Sequence, residues 1–112
     1  MVANGRSKGG KEIMIIYIAG KMSGLEDLGQ NDFDKAEKFL TEKGHIVINP
    51  AKLPHGLRHE SYMQIGLAMI DACDAVYMLK TYPDSRGAKI EFNYAVYQGK
   101  DIYFEGISDE SL

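Results

Sequence analysis

Cysteine is almost absent from this sequence: Cys73 is the only one in 112 residues, so no disulfide can form within the chain. Disulfides are typical of oxidising compartments, and nothing here indicates one. No apolar run approaches the roughly 20 residues that a helix needs to cross a bilayer, and the first residues lack the apolar core of a signal peptide. We therefore expect a cytoplasmic protein with no membrane partner.

Positive charge is not in excess either. The chain has 13 Lys and Arg against 16 Asp and Glu, a net charge of -3. Domains that bind nucleic acid usually carry a clustered excess of Lys and Arg. We therefore expect no nucleic acid polymer as a partner. Binding of a small nucleotide is not excluded by this charge.

Metal-binding and cofactor-binding motifs are lacking. The three histidines, His45, His55 and His59, have no cysteine or carboxylate cluster at metal-ligand spacing, and we interpret them as strand-edge and loop residues. Neither G-x-G-x-x-G nor G-x-x-x-x-G-K-[ST] occurs. We expect no metal and no cofactor, and we interpret Cys73 as a small buried residue rather than a nucleophile.

The chain has enough apolar residues for one packed domain. Hydrophobic residues make up 45% of it, and its length fits a single core. Residues 1–12 are polar and glycine-rich and show neither the helical nor the strand period, which predicts a disordered N-terminal extension. We expect the domain to span residues 13–112.

Strands and helices alternate along this domain. Apolar runs predict strands at 13–19, 46–48, 75–79 and 102–104, and helical spacing predicts helices at 31–43, 60–73 and 86–98. Alternation implies right-handed parallel crossovers. The predicted fold is a three-layer α/β open parallel sheet of order 2-1-3-4 with helices on both faces, similar to Rossmann and flavodoxin folds.

Ligands of such sheets bind beyond the carboxyl ends of the strands, where the strand order reverses. With this order the crevice lies between strands one and three. It collects the loop 20–24, with Gly20, Met22 and Ser23 as candidate substrate-binding residues, and the turn 84–87. Taken alone, the first loop is better interpreted as a tight turn than as a ligand loop.

The turn Asp84, Ser85, Arg86 and Gly87 leads into the last helix. Free N–H groups at a helix N-terminus favour an anion such as phosphate, and Arg86 could add a bidentate contact. The alternative is that Asp84 or Ser85 only caps the helix and Arg86 is solvated. Both interpretations stay open.

Glu91 lies about one turn into that helix, on a face with Gly87, Tyr94 and Ala95. A carboxylate on an otherwise apolar face is costly unless it is paired or used. Lys89 is available for a surface ion pair, so a structural role competes with a catalytic one.

Several segments together resemble the nucleoside 2-deoxyribosyltransferase superfamily over about residues 13–105, closest to a small bacterial and phage branch. They are 17–20, 49–50, 73–76, 84–95 and 99–102. The resemblance implies an enzyme whose glutamate nucleophile attacks the anomeric carbon of a deoxyribosyl group, and Glu91 matches that position. Tyr17 matches a tyrosine that lies near the nucleophile.

Two of the positions that depart from the pattern of that family bear on the substrate. Ser85 replaces an aspartate that holds the sugar 5'-hydroxyl in the transferases; relatives that hydrolyse deoxynucleoside 5'-monophosphates carry serine there, which favours a 5'-phosphate. Gly66 replaces an acid that contacts the leaving base. Asp71 is better interpreted as a surface or capping residue than as its substitute.

The last two helices carry more apolar surface than one sheet contact can bury, which indicates a homodimer or higher homo-oligomer. Our leading hypothesis is an enzyme that cleaves the N-glycosidic bond of a deoxynucleoside or its 5'-monophosphate, by transfer or hydrolysis. The alternatives are a non-catalytic nucleotide-binding or sensing module on the same fold, and an oligomeric interaction protein.

Overall fold

The structure, a computed structural model, describes residues 7, 8 and 11–112. Ser7–Lys8 pairs with Lys11–Glu12 in a short antiparallel ladder. We expected disorder over residues 1–12; residues 1–6, 9 and 10 lie outside the described residues, and the other four pair as strands instead. Two short segments separated by Gly-Gly have the sequence pattern of a tight hairpin.

The main sheet has four parallel strands, β1 (Ile15–Ala19), β2 (Ile46–Ile48), β3 (Ala75–Met78) and β4 (Asp101–Phe104). Their order is β2-β1-β3-β4, which confirms the predicted 2-1-3-4. Tyr17 at the centre of β1 pairs with Ile48 on one side and Val76 on the other. The order therefore reverses between β1 and β3, at the expected crevice.

Three α-helices connect these strands in the described part of the chain: α1 (Gln30–Glu42), α2 (His59–Asp71) and α3 (Arg86–Tyr97). Their bounds lie within two residues of the predicted ones. Short 3₁₀ turns occupy Pro50–Lys52, Tyr82–Asp84 and Asp109–Ser111.

The start of α1 is stabilised by a side chain that lies outside the helix. Gly29, at φ 80°, precedes the helix, and Asp27 accepts hydrogen bonds from the backbone N–H groups of Gly29 and Asn31 at 2.9 and 3.0 Å. A carboxylate two residues upstream thus satisfies the free donors of the first turn. The bonds from Asn31 and Gly29 lower the pKa of Asp27, and burial opposes them to a smaller extent.

Two apolar clusters cover the two faces of the sheet. Alternate residues of β1 point to opposite sides, as strand geometry requires: Ile16 and Ile18 pack with Phe33 and Leu40 of α1, whereas Tyr17 and Ala19 belong to the cluster on the side of α2 and α3. Other members of that second cluster are Ile70, Cys73, Val76, Met78 and Ala95. This arrangement confirms the three-layer α/β fold.

The last residues return to the α1 face of the sheet. Leu112 is buried in that cluster at 1% exposure, and His45 joins it to the start of β1. The Met14 N–H donates to Nδ1 of His45 at 3.1 Å, so Nε2 carries the ring proton and donates to the Leu112 carbonyl at 3.1 Å. His45 lies at the edge of a strand, directly before β2, and is a buried structural bridge.

The outer face of α3 leaves apolar side chains in solvent. Tyr97 is 86% exposed and Val96 53%. The homo-oligomer expected from this apolar excess stays a prediction.

No helix of the described residues is both long and apolar enough to span a bilayer.

Candidate functional site

Glu91 and Tyr17 meet beneath the crevice. Glu91 points inward from α3 and is 8% exposed, and Tyr17, on β1, is 1% exposed. The Tyr17 hydroxyl donates to Oε2 of Glu91 at 2.7 Å. The carboxylate is therefore paired with the tyrosine, and the surface ion pair with Lys89 that competed for this residue does not form.

Only one carboxylate oxygen of Glu91 is held by the protein. Oε2 bonds Tyr17 and lies against α2 at Gly66, where an added Cβ would overlap with it. No buried, unpartnered side-chain oxygen or nitrogen occurs in the described residues. Oε1 therefore keeps contact with solvent, and since Glu91 lines a cavity, this oxygen is the one open to a ligand.

Burial and hydrogen bonding act on the two groups in different ways. Burial raises the pKa of Glu91 to about 7, and the bond from Tyr17 opposes the rise. The pKa of Tyr17 is well above its usual value because of burial and the neighbouring Glu91. Tyr17 therefore stays a hydrogen-bond donor, while Glu91 ionises near neutral pH.

The loop after β1 forms one wall of this cavity. Gly20, Met22 and Ser23 all line it. Gly20 is needed because a Cβ there would lie 2.7 Å from Cδ1 of Leu79, and the Lys21 N–H donates to Thr81 Oγ1 at 3.0 Å. The loops after β1 and β3 are thus joined directly at the point where the strand order reverses.

The turn into α3 forms a second wall. Asp84, Ser85, Arg86 and Gly87 line the cavity. Ser85 is the N-cap, since its Oγ accepts from the Ala88 N–H at 3.0 Å, while Arg86 is exposed. The two interpretations of this turn are therefore not exclusive, because a capping hydroxyl still has a proton to donate.

The cavity has a volume of about 300 Å³. This is the lower end of the range for small-molecule sites, about 300–1,000 Å³. All nine residues that the sequence nominated line it. The topology thus brings together groups from two separate segments of the chain, 17–23 and 84–91.

Sequence reasoning missed part of the lining. His55 and His59, interpreted as loop residues, also face the cavity, and His59 opens α2. His59, Tyr62, Met63 and Gly66 follow helical spacings of three and four. Extending the apolar face of α2 by one turn toward its N-terminus would have found His59; no local signal marks His55.

Other ionisable candidates lie elsewhere. Asp71 is an exposed residue at the end of α2 that accepts from Tyr94 and Gln98 at 2.7 and 3.1 Å, which lowers its pKa. Cys73 is buried, and burial raises the pKa of its thiol to about 12. Within residues 12–112, no cluster of three His, Cys, Asp or Glu side chains could hold a metal ion.

Residues 14–104 match the family described as "Domain of unknown function (DUF4406)". The chain belongs to this family. No curated protein matches it. Among solved structures, the DUF4406 domain is similar to a 2-desoxiribosyltransferase from Leishmania mexicana, with a TM-score of 0.65 and 22% identity over 80% of this chain and 62% of that one.

This likeness supports the resemblance seen in the sequence at the level of fold. The DUF4406 domain has a nucleoside 2-deoxyribosyltransferase-like α/β fold, and it spans less than two thirds of the length of that solved relative. At this identity the comparison does not transfer an activity.

Proposed function

We propose that this DUF4406 domain cleaves the N-glycosidic bond of a deoxynucleoside or its 5'-monophosphate, with Glu91 as the nucleophile. The observation that carries the proposal is the asymmetric carboxylate: Oε2 is held by Tyr17 and Oε1 is open to the cavity. Covalent catalysis by a carboxylate needs one positioned, accessible oxygen.

The reaction would proceed in two displacements. Oε1 of Glu91 attacks C1' of the deoxyribosyl group, the C1'–N bond breaks, and its electron pair leaves with the base, which takes up a proton from solvent water. The glycosyl ester on Glu91 is then attacked at C1' by a second base or by water, and the carboxylate is released. Retaining glycosidases use the same logic through an oxocarbenium-like transition state.

Tyr17 supports the first step by orienting the carboxylate. Its hydroxyl also stabilises the ionised form of Glu91, since the bond lowers a pKa that burial raises. A nucleophilic carboxylate must be ionised, so we expect the rate of base release to rise with pH through about 7.

The turn before α3 is the proposed site of the sugar 5' end. Ser85, the exposed Arg86 and Gly87, at the start of α3, all line the cavity, and a helix N-terminus favours an anion. An aspartate at position 85 would repel a phosphate. A 5'-monophosphate is therefore the favoured substrate form.

The test is to incubate the protein with deoxynucleosides and their 5'-monophosphates, with and without a second free base, and to separate the products by chromatography. We expect free base, and a new nucleoside if transfer occurs. Glu91→Ala should abolish release, whereas Glu42→Ala, an exposed glutamate at the end of α1, should not. Release that survives Glu91→Ala would refute the nucleophile.

The non-catalytic nucleotide-binding module remains the second candidate, favoured by the lack of an acid at Gly66. It predicts that a monophosphate binds without turnover and that Arg86→Ala weakens this binding about tenfold, as expected for one charge-assisted hydrogen bond. Calorimetric titration with a deoxynucleoside and its monophosphate measures both quantities.

A further inference from the structure

Gly66 faces the carboxylate of Glu91 from the neighbouring helix. A Cβ at position 66 would overlap with Oε2 of Glu91 and would lie 3.0 Å from the Tyr17 hydroxyl oxygen. These are the two atoms that form the 2.7 Å hydrogen bond. Any side chain at position 66 would therefore have to displace the carboxylate, the phenol or the helix.

The backbone of α2 does not itself require glycine at this position. Gly66 lies in the middle of a 13-residue helix and is not among the residues with positive φ. Glycine in a helix interior costs about 1 kcal/mol relative to alanine. The close approach of Glu91 accounts for the glycine, since helical geometry does not.

We propose that Gly66 is the positioning residue for Glu91: its missing side chain forms the niche in which Oε2 docks on Tyr17, which turns Oε1 toward the cavity. The effect on catalysis rests on the proposed function, whereas the effect on the geometry of Glu91 does not. A side chain at position 66 cannot be accommodated while the carboxylate and the phenol keep their present positions.

The niche also accounts for the burial of the carboxylate. Glu91 is enclosed by β1 below, through Tyr17, and by α2 at the side, through Gly66. Besides Tyr17 and Glu91, the charged or titratable side chains that line the same cavity are Lys21, His55, His59, Tyr62, Asp84 and Arg86. In the described residues, no basic group forms an ion pair with Glu91, so its orientation depends on the niche and the tyrosine.

The first experiment is a double-mutant cycle that measures the urea midpoint of unfolding for the wild type, Gly66→Ala, Glu91→Ala and the double variant. Adding Gly66→Ala to the Glu91→Ala variant should raise the urea midpoint, because the overlap with the carboxylate is gone and the higher helix propensity of alanine dominates. In the wild-type background, Gly66→Ala should raise the midpoint less than it does in the Glu91→Ala background, or should lower it. Equal effects in the two backgrounds would overturn the proposal.

The second experiment follows the side-chain carboxyl resonance of Glu91 by NMR during a pH titration. The midpoint should move in Gly66→Ala, downward if relief of burial dominates and upward if loss of the Tyr17 bond dominates; both show a displaced carboxylate. Gly87→Ala is the matched control, because its Cβ would meet Met63 and Ser85 but not Glu91. An unchanged midpoint in Gly66→Ala would contradict the niche.

Activity supplies a separate readout. If the wild type releases base, Gly66→Ala should lower kcat by up to about 100-fold, the scale of a 1 Å misplacement, with KM changed less than kcat. A normal kcat in Gly66→Ala would overturn the positioning role. If the wild type releases no base, the proposed function fails. The double-mutant cycle and the NMR titration still test whether Gly66 positions Glu91, because neither depends on activity.

Discussion

At Glu91, burial and a hydrogen bond act in opposite directions on one carboxyl group. Burial is the larger effect, so the pKa rises to about 7 from its ordinary value of 4.5. The folded state therefore binds more protons than the unfolded state between these two pH values, and stability falls as pH rises through this window. Ionised Glu91 is a group that the fold holds at a cost.

Replacing Glu91 with glutamine should remove this pH dependence. Glutamine stays neutral, so Glu91→Gln should be more stable than the wild type by roughly 3 kcal/mol at pH 8 and by far less at pH 4. Urea unfolding at the two pH values measures the difference. The same substitution at the exposed Glu42 should give no such gain, and a gain at pH 8 that equals the one at pH 4 would contradict the assignment.

Tyr17→Phe should shift the pH profile of base release to higher pH. The lost hydrogen bond lowers the pKa of Glu91 in the wild type, so a higher pH is needed to ionise the nucleophile in the variant. The check is the midpoint of the profile, measured for both proteins.

The chain offers a matched control for that variant. Tyr77 is also buried and also donates to a carboxylate, Asp109, at 2.7 Å, but it packs on the α1 face of the sheet. Tyr77→Phe should lower stability without moving the profile. If both variants shift the midpoint equally, the effect does not come from the Tyr17 bond.

At the level of single elements, α3 depends on its cap. Ser85 satisfies the Ala88 N–H, and the same turn places Arg86 and Gly87 on the cavity wall. Ser85 thus stabilises the start of α3 and also lies at the proposed binding site for the 5' end of the ligand.

Ser85→Ala should lower the free energy of unfolding by about 1 kcal/mol, the usual value of an N-cap, and should weaken binding of a monophosphate more than of a nucleoside. Urea unfolding and calorimetry measure the two effects. Ser61→Ala, in the first turn of α2, is the control, since the Ser61 hydroxyl makes no hydrogen bond in the described part of the chain. Equal losses in both variants would argue against the cap.

The whole molecule is closed by its last residues. Leu112 fills the α1 face of the core, and His45 links its carbonyl to Met14 at the entry of β1. The segment after β4 therefore braces the strand that carries Tyr17, from the opposite side of the sheet.

Leu112→Ala should cost about 2–5 kcal/mol, as for other buried leucines, measured by urea unfolding. Ile107→Ala, in the same segment but 83% exposed, should change stability by less than about 0.5 kcal/mol. A loss in Leu112→Ala no greater than in Ile107→Ala would show that the segment does not brace the core.

The sequence by itself determined the elements and their order, together with the crevice that the order creates. Apolar runs, helical spacing and the residues 84–87 are short-range patterns, and parallel crossovers have one hand. The resemblance added Glu91 and Tyr17 as partners. The sequence did not determine every helix start: α1 begins at Gln30 rather than at residue 31, and Asp27, before the helix, accepts from the Asn31 N–H.

Only the tertiary structure decided how Glu91 is held. Tyr17 is 74 residues away in the chain, and Gly66 comes from another helix whose closeness depends on how α2 and α3 pack on the sheet. The sequence left Gly66 as a missing acid; in three dimensions it is the space that the carboxylate fills. No local period contains that information, because it arises from contacts between segments that are distant in sequence.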